Sequence, residues 1–119
     1  MSYKNTIPLH QRESESSKIL DKYPNCIPVI VETNSKDIIL PKNKFLVPYH
    51  ITASHLLYSI RKTLKVDPSK AIFMYYDGKI VCGSELLGEM YIKYKEKHNI
   101  GKNGDKFFYI NLTLENTFG

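Results

Sequence analysis

Apolar residues along this chain recur at two spacings, close-set in some stretches and every third or fourth position in others, and each change of spacing marks a new element. Residues 1 to 22 are polar and charged, with Leu9 and then Ile19, Leu20 and Tyr23 at helical steps. That predicts one or two short amphipathic helices with a stripe too narrow for a core helix, lying on the outside of the domain through Ile19, Leu20 and Tyr23. Pro24-Asn25 then breaks the helix. Ile27-Pro-Val-Ile-Val-Glu32 reads as a first strand, and its Pro28 places it near an edge or at a strand start. A polar stretch from Thr33 to Asp37 leads through Ile38 to Pro41 into a second strand, Lys44-Phe-Leu-Val-Pro48, closed by its proline.

Thr52 is placed to cap a helix whose Ala53, Leu56, Leu57, Ile60 and Leu64 form an apolar face, opposite Ser54, His55, Ser59, Arg61 and Lys62. Asp67-Pro68-Ser69 makes a turn. Ala71 to Tyr76 is apolar throughout, as in a strand covered on both faces, and Asp77-Gly78 before Lys79-Ile-Val81 signals a hairpin because both turn residues tolerate positive φ. Ser84 is the expected cap of a further helix carrying Leu86, Leu87, Met90, Tyr91 and Tyr94, in which Gly88 costs helicity. His98 to Lys106 reads as a polar loop. Phe107 to Leu114 is the last strand, followed by a polar run, Glu115 to Gly119. The order strand, strand, helix, strand, strand, helix, strand is that of a mixed α+β domain, and specifically of a ubiquitin-like β-grasp.

Composition narrows the function more than the fold. A chain of 119 residues with 42% hydrophobic content supplies one core. Lys and Arg outnumber Asp and Glu by 17 to 12, and the pI near 9.1 favours anionic surfaces or acidic peptides without marking a dedicated nucleic-acid binder. Cys26 and Cys82 lie far apart with no partner at metal-ligand spacing, so neither a disulfide framework nor a metal site is expected, and a reducing compartment is. No run reaches the roughly 18 apolar residues of a membrane span, and the first residues do not read as a secretory h-region. The expectation is a cytoplasmic protein. The glycine at position 119 has no Cβ, so an enzyme can approach its carboxylate closely.

Three stretches, Lys22-Tyr-Pro-Asn-Cys-Ile-Pro-Val-Ile-Val-Glu32, Lys44-Phe-Leu-Val-Pro48 with Ile60-Arg-Lys62, and Glu115-Asn-Thr-Phe-Gly119, occur in order and in one register. Together they resemble the autophagy-related ubiquitin-like modifiers, the family that includes the GABA-receptor-associated proteins, from about Arg12 to Gly119. The resemblance implies a β-grasp with two additional N-terminal helices: residues 1–24 as a helical extension, 25–114 as the ubiquitin-like domain and 115–119 as a conjugation tail. It also implies that Gly119 is joined to phosphatidylethanolamine by activating and conjugating enzymes of the ubiquitin type, and that a deconjugating cysteine protease acts on it. The protein itself would be no enzyme, and no cofactor is expected. Once lipidated it would sit on the autophagosomal membrane.

The same resemblance implies a docking surface for autophagy receptors whose short motifs carry an aromatic residue and, three positions later, an aliphatic one. Matched residue by residue, the aromatic pocket would use Ile19, Pro28, Ile30, Lys44, Leu46 and Phe107, and the aliphatic pocket Phe45, Val47, Pro48, Ile51 and Leu56. Lys42, Lys44 and Arg61 would attract acidic flanking residues. Three positions depart from the family pattern: Cys26 replaces a usual arginine, Ser59 an apolar residue, and Leu114 a frequent glycine. Many family precursors carry residues beyond the glycine that a protease removes, so either the chain is made mature or such residues have been cut away.

Taken singly, Ile30, Leu46 and Phe107 each read first as core; Lys44 and Pro28 among them give the groove weight for the set. Lys93, Lys95 and Lys97 read as a solvated helix face. Three function classes remain open at this stage: a lipid-conjugated modifier in autophagosome formation, an adaptor that binds peptides without being conjugated, and a small basic nucleic-acid binder. The third is disfavoured because the aromatics lie in apolar runs, which points to burial. Relatives that serve a plastid keep a different organelle open.

Overall fold

The computed structural model describes residues 2–64, 66–67, 69–99 and 104–114. Two N-terminal helices, α1 (Tyr3–Thr6) and α2 (Leu9–Lys22), precede β1 (Cys26–Thr33) and β2 (Lys44–Pro48). Then come α3 (Ala53–Arg61), β3 (Ile72–Tyr76), β4 (Lys79–Ile80), α4 (Leu87–His98) and β5 (Phe108–Leu114). The strands form one sheet in the order β2-β1-β5-β3-β4, with β1 and β5 parallel at its centre and the remaining pairs antiparallel. This is the ubiquitin-like β-grasp, with two helices added before it. Ile27 to Val31 of β1 and Phe108 to Ile110 of β5 are buried, and α2 and α4 both pack against β1.

Of the two places expected for Pro28, an edge or a strand start, the structure shows the second: β1 has neighbours on both sides, and Pro28 is the third residue of the strand. Having no N–H, it is tolerated because the ladder to β5 begins one residue later, at Val29 opposite Phe108. The strand from Ile72 is also less enclosed than its apolar run suggested: Phe73 and Tyr75 are half-buried while Ile72 and Met74 are buried, so one face of the sheet is open there. At the hairpin, Asp77 and Gly78 both take positive φ (51° and 74°), as that dipeptide requires.

Helix α3 starts as expected, with Thr52 Oγ1 accepting the His55 N–H at 3.2 Å, but ends before Leu64. Helix α4 departs from expectation. Ser84 does not cap it, and its Oγ lies 3.3 Å from Cys82 Sγ instead. The N-cap is Leu86, with no side-chain bond, because backbone takes that role: Leu87 N–H donates to Ile51 O and Gly88 N–H to Tyr49 O at 2.9 and 3.0 Å. Of the predicted turn, Pro68 lies outside the described residues, while Ser69 N–H and Oγ each donate to Asp67 Oδ1 at 2.9 Å.

Candidate functional site

Strand β2 forms one edge of the sheet. Its ladder to β1 is bracketed by Val31 N–H donating to Asn43 O and Tyr49 N–H to Asn25 O. Antiparallel alternation then assigns Phe45 and Val47 to that ladder and turns the backbone N–H and C=O of Lys44 and Leu46 outward. At the next outward position, Pro48 offers only its carbonyl. The edge therefore holds two complete sites for backbone pairing with an extended segment.

Beside this edge lies a cleft of about 280 Å³ between α2 and the β1–β2 pair, lined by Ile19 and Tyr23, Pro28 and Val29, Lys42, Lys44, Phe45 and Leu46, and Phe107. Five of the six residues expected in an aromatic pocket come together here: Ile19, Pro28, Lys44, Leu46 and Phe107. Ile30 sits deeper, with none of its surface exposed, and serves the core. Leu46, by contrast, is 43% exposed, and Phe107 floors the cleft at 1%. Tyr23 is a wall that the sequence suggested only as packing for the N-terminal helices.

The residues expected in an aliphatic pocket divide. Val47 and Leu56 belong to the core, while Phe45, Pro48 and Ile51 are half-buried, and Phe45 lines the α2 cleft with Lys42 Nζ 4.7 Å from its ring centre. Arg61, expected to help attract acidic residues, closes the last turn of α3 and donates to Lys70 O at 3.1 Å, outside the cleft wall. Cys26, half-buried and paired with Pro48, stands next to the cleft as a free thiol. Gly119 lies outside the described residues.

Lys44 is already engaged within the chain. Its Nζ lies 2.8 Å from Glu15 Oε2 and 5.0 Å from the Tyr3 ring centre, while the Tyr3 hydroxyl donates to the other Glu15 oxygen. Partial burial alone would raise the Glu15 pKa, but hydrogen bonds from Lys44 and Tyr3 outweigh it and hold the carboxylate below its ordinary value. For Lys44, burial is likewise outweighed by Glu15 and Tyr3, and its pKa rises. Tyr3 N–H also donates to Glu32 Oε2 at 2.6 Å, which ties α1 to the end of β1.

A second polar assembly fixes Phe107. Buried Arg12 of α2 donates through Nε to Ile7 O at 2.9 Å and pairs through Nη1 with buried Asp105. Asp105 in turn accepts the Phe107 N–H at 3.0 Å and the Tyr109 hydroxyl at 2.8 Å. Ser16 Oγ accepts the Lys106 N–H at 2.9 Å, and the Tyr91 hydroxyl donates to Lys106 O at 2.6 Å. Sequence reasoning missed this network. A lone arginine in a charged helix and an aspartate in a polar loop carry no signal that they meet 93 positions apart.

A family model described as autophagy protein Atg8, ubiquitin like, matches residues 11–119. Autophagy-related protein 8 of Schizosaccharomyces pombe is 39% identical over 119 residues, covering 98% of this chain and 93% of the relative. Among solved structures, Trypanosoma brucei ATG8 superposes with a TM-score of 0.83 at 29% identity, over 100% of this chain and 98% of the other. Plasmodium falciparum Atg8, solved in complex with a P. falciparum Atg3 peptide, has a TM-score of 0.77 at 23% identity over 95% of each chain.

Proposed function

Because the chain belongs to the Atg8 family of ubiquitin-like autophagy proteins, we propose that it is a modifier joined through the Gly119 carboxylate to phosphatidylethanolamine, and that the α2/β2 cleft then docks aromatic-x-x-aliphatic peptides of autophagy receptors. The observation that carries this reading is the conjunction of an apolar cleft with an unpaired strand edge whose Lys44 and Leu46 backbone groups face outward. A peptide adding a strand to β2 gains main-chain hydrogen bonds and places an alternate side chain in the cleft. Lys42 and Lys44 stand where acidic flanking residues would lie, so added salt slows association.

In this reading residues 1–24 are the helical extension, 25–114 the body and 115–119 the conjugation tail. An activating enzyme adenylates the carboxylate with release of pyrophosphate, and an enzyme thiol displaces AMP to form a thioester. The lipid amine then attacks the thioester carbonyl, so an amide forms and the thiol leaves. This chain contributes the acyl group and no catalytic residue. Two acyl chains, at about 0.8 kcal/mol per buried methylene, anchor the product stably where one short chain would not. A cysteine protease reverses the linkage. The P. falciparum relative, solved with an Atg3 peptide, supports a peptide partner from the conjugating machinery.

Two measurements test the reading. Incubation with the family's activating and conjugating enzymes, ATP and phosphatidylethanolamine vesicles is expected to raise the protein's mass by one lipid less water, and Gly119→Ala to prevent it. An unchanged mass, with the enzymes active on another modifier, removes lipidation and leaves the unconjugated adaptor. Leu46→Ala, at a half-exposed position, is expected to cost about 1–2 kcal/mol of peptide binding by calorimetry while leaving the unfolding midpoint nearly unchanged. Full affinity in that variant would move the docking site elsewhere.

A further inference from the structure

The sheet topology gathers three segments at one end of the molecule. Strand β5 ends at Leu114, opposite Ile72 where β3 begins, and parallel β1 ends beside it, with Thr33 Oγ1 donating to Leu112 O at 2.7 Å. The connector from β1 to β2 (34–43), the connector from α3 to β3 (62–71) and the last described residue of β5, Leu114, therefore lie at the same end. Among the described residues the two connectors carry exposed Lys36, Lys42, Lys62 and Lys70 against Asp37 and Asp67. At the opposite end, the described residues of connectors 23–25, 49–52, 77–78 and 99–107 hold a single lysine, Lys106, against Asp77 and Asp105, and Lys102 lies outside the described residues.

Set among those lysines is an apolar residue with no internal partner surface to explain it. In the Ile38-Ile39-Leu40 run, Ile38 is buried at 5% and fastens the connector to the core, whereas Ile39 is 57% exposed. Tyr58, one turn before the end of α3, is 62% exposed with Lys62 Nζ 4.5 Å from its ring centre. Lysines around isolated apolar and aromatic side chains match a membrane interface, where ammonium groups meet acidic headgroups and the apolar groups enter the boundary layer.

We infer that this end of the domain is a docking surface for an acidic phospholipid membrane, which stands the sheet on end and leaves the β2 edge facing sideways into solvent. The inference rests on the conjugation reading for its setting, since a tail tethered at this end holds the lysines near lipid. Each lysine is worth about a fivefold gain in binding to an acidic surface, so a few suffice to orient a protein that is already tethered.

The test separates orientation from conjugation by using an artificial tether. The full chain, extended by polyhistidine after Gly119, is bound to vesicles containing a nickel-chelating lipid, with no conjugating enzyme involved. The chain has no tryptophan, so Ile39→Trp is a single reporter and His50→Trp, at the opposite end, is its comparison. With phosphatidylserine in a phosphatidylcholine bilayer, the Ile39→Trp emission is expected to shift to the blue and to return in about 1 M salt, where the Debye length falls to about 3 Å. His50→Trp is expected not to shift. The combined Lys36→Gln, Lys62→Gln and Lys70→Gln variant, with its peptide affinity retained as proof of folding, is expected to lose the shift. An equal shift on purely neutral vesicles, a larger shift from His50→Trp, or a shift that survives the three substitutions overturns the inference, whatever the outcome of enzymatic lipidation.

Discussion

A Cβ placed on Gly88 would lie 2.7 Å from Tyr49 Cδ2 and 2.8 Å from the Tyr49 carbonyl oxygen, the same oxygen that accepts the Gly88 N–H. Helix propensity alone predicts that Gly88→Ala stabilises α4 by about 1 kcal/mol. The backbone oxygen cannot retreat without losing the bond that starts the helix, and overpacking of this kind costs about 1–3 kcal/mol. The steric cost is expected to win, with a net loss of about 1–2 kcal/mol read from the urea midpoint. A residue that looks like a flaw in a helix is thus what lets α4 approach residues 49–51, and the absence of a side-chain cap at Leu86 has the same origin.

Among the elements, α2 is held unusually. Its 14 residues bury only Arg12 and Ser16, both polar, while Ile19 and Leu20 of its apolar stripe stay half-buried and Tyr23 beyond it is 41% exposed. Directed bonds to residues 105–107 replace broad apolar burial, so the helix is fastened at the residue that floors the cleft. Arg12→Ala leaves the Asp105 carboxylate buried without its cation. Breaking such a pair costs about 3–5 kcal/mol, and the low end is expected because Phe107 N–H and Tyr109 O–H still bond to Asp105. Arg12→Met combined with Asp105→Asn, which removes both charges and keeps an acceptor, is expected to cost less than the sum of the single changes in a denaturation cycle.

For the molecule as a whole, the alkaline pH response comes from tyrosines. Burial, followed by the nearby Asp77 and Asp105 charges, pushes Tyr94 from 10.0 to about 12, and burial also raises Tyr91 and Tyr109 well above their ordinary range. In the folded state these phenols stay protonated where an unfolded chain would lose the proton. The contribution of all three is therefore complete below pH 10; that of Tyr94 is lost as pH rises from 10 toward 12, and those of Tyr91 and Tyr109, raised further, go on falling beyond it. Melting temperature is expected to fall steeply across that window, with the share of tyrosinate absorbance due to Tyr91, Tyr94 and Tyr109 appearing only together with unfolding. Absorbance that reaches the full amplitude of all nine tyrosines while the fold persists would place these rings in contact with solvent.

The periodicity of the chain was enough to determine the strands from Ile27 and Lys44, the helix from Thr52, the Asp77-Gly78 hairpin and the mixed α+β order, because each depends on neighbours a few positions away. Most of the cleft was legible too, but only through the family resemblance, since Leu46 and Phe107 look alike to any count of apolar residues. Tertiary structure alone decided that Ile30, Val47 and Leu56 are core, that Arg12 meets Asp105, that backbone replaces Ser84 as the cap of α4, and that β2 ends the sheet with two backbone sites open. Those outcomes turn on which distant segments share a surface, and local spacing carries no information about contacts made across the fold.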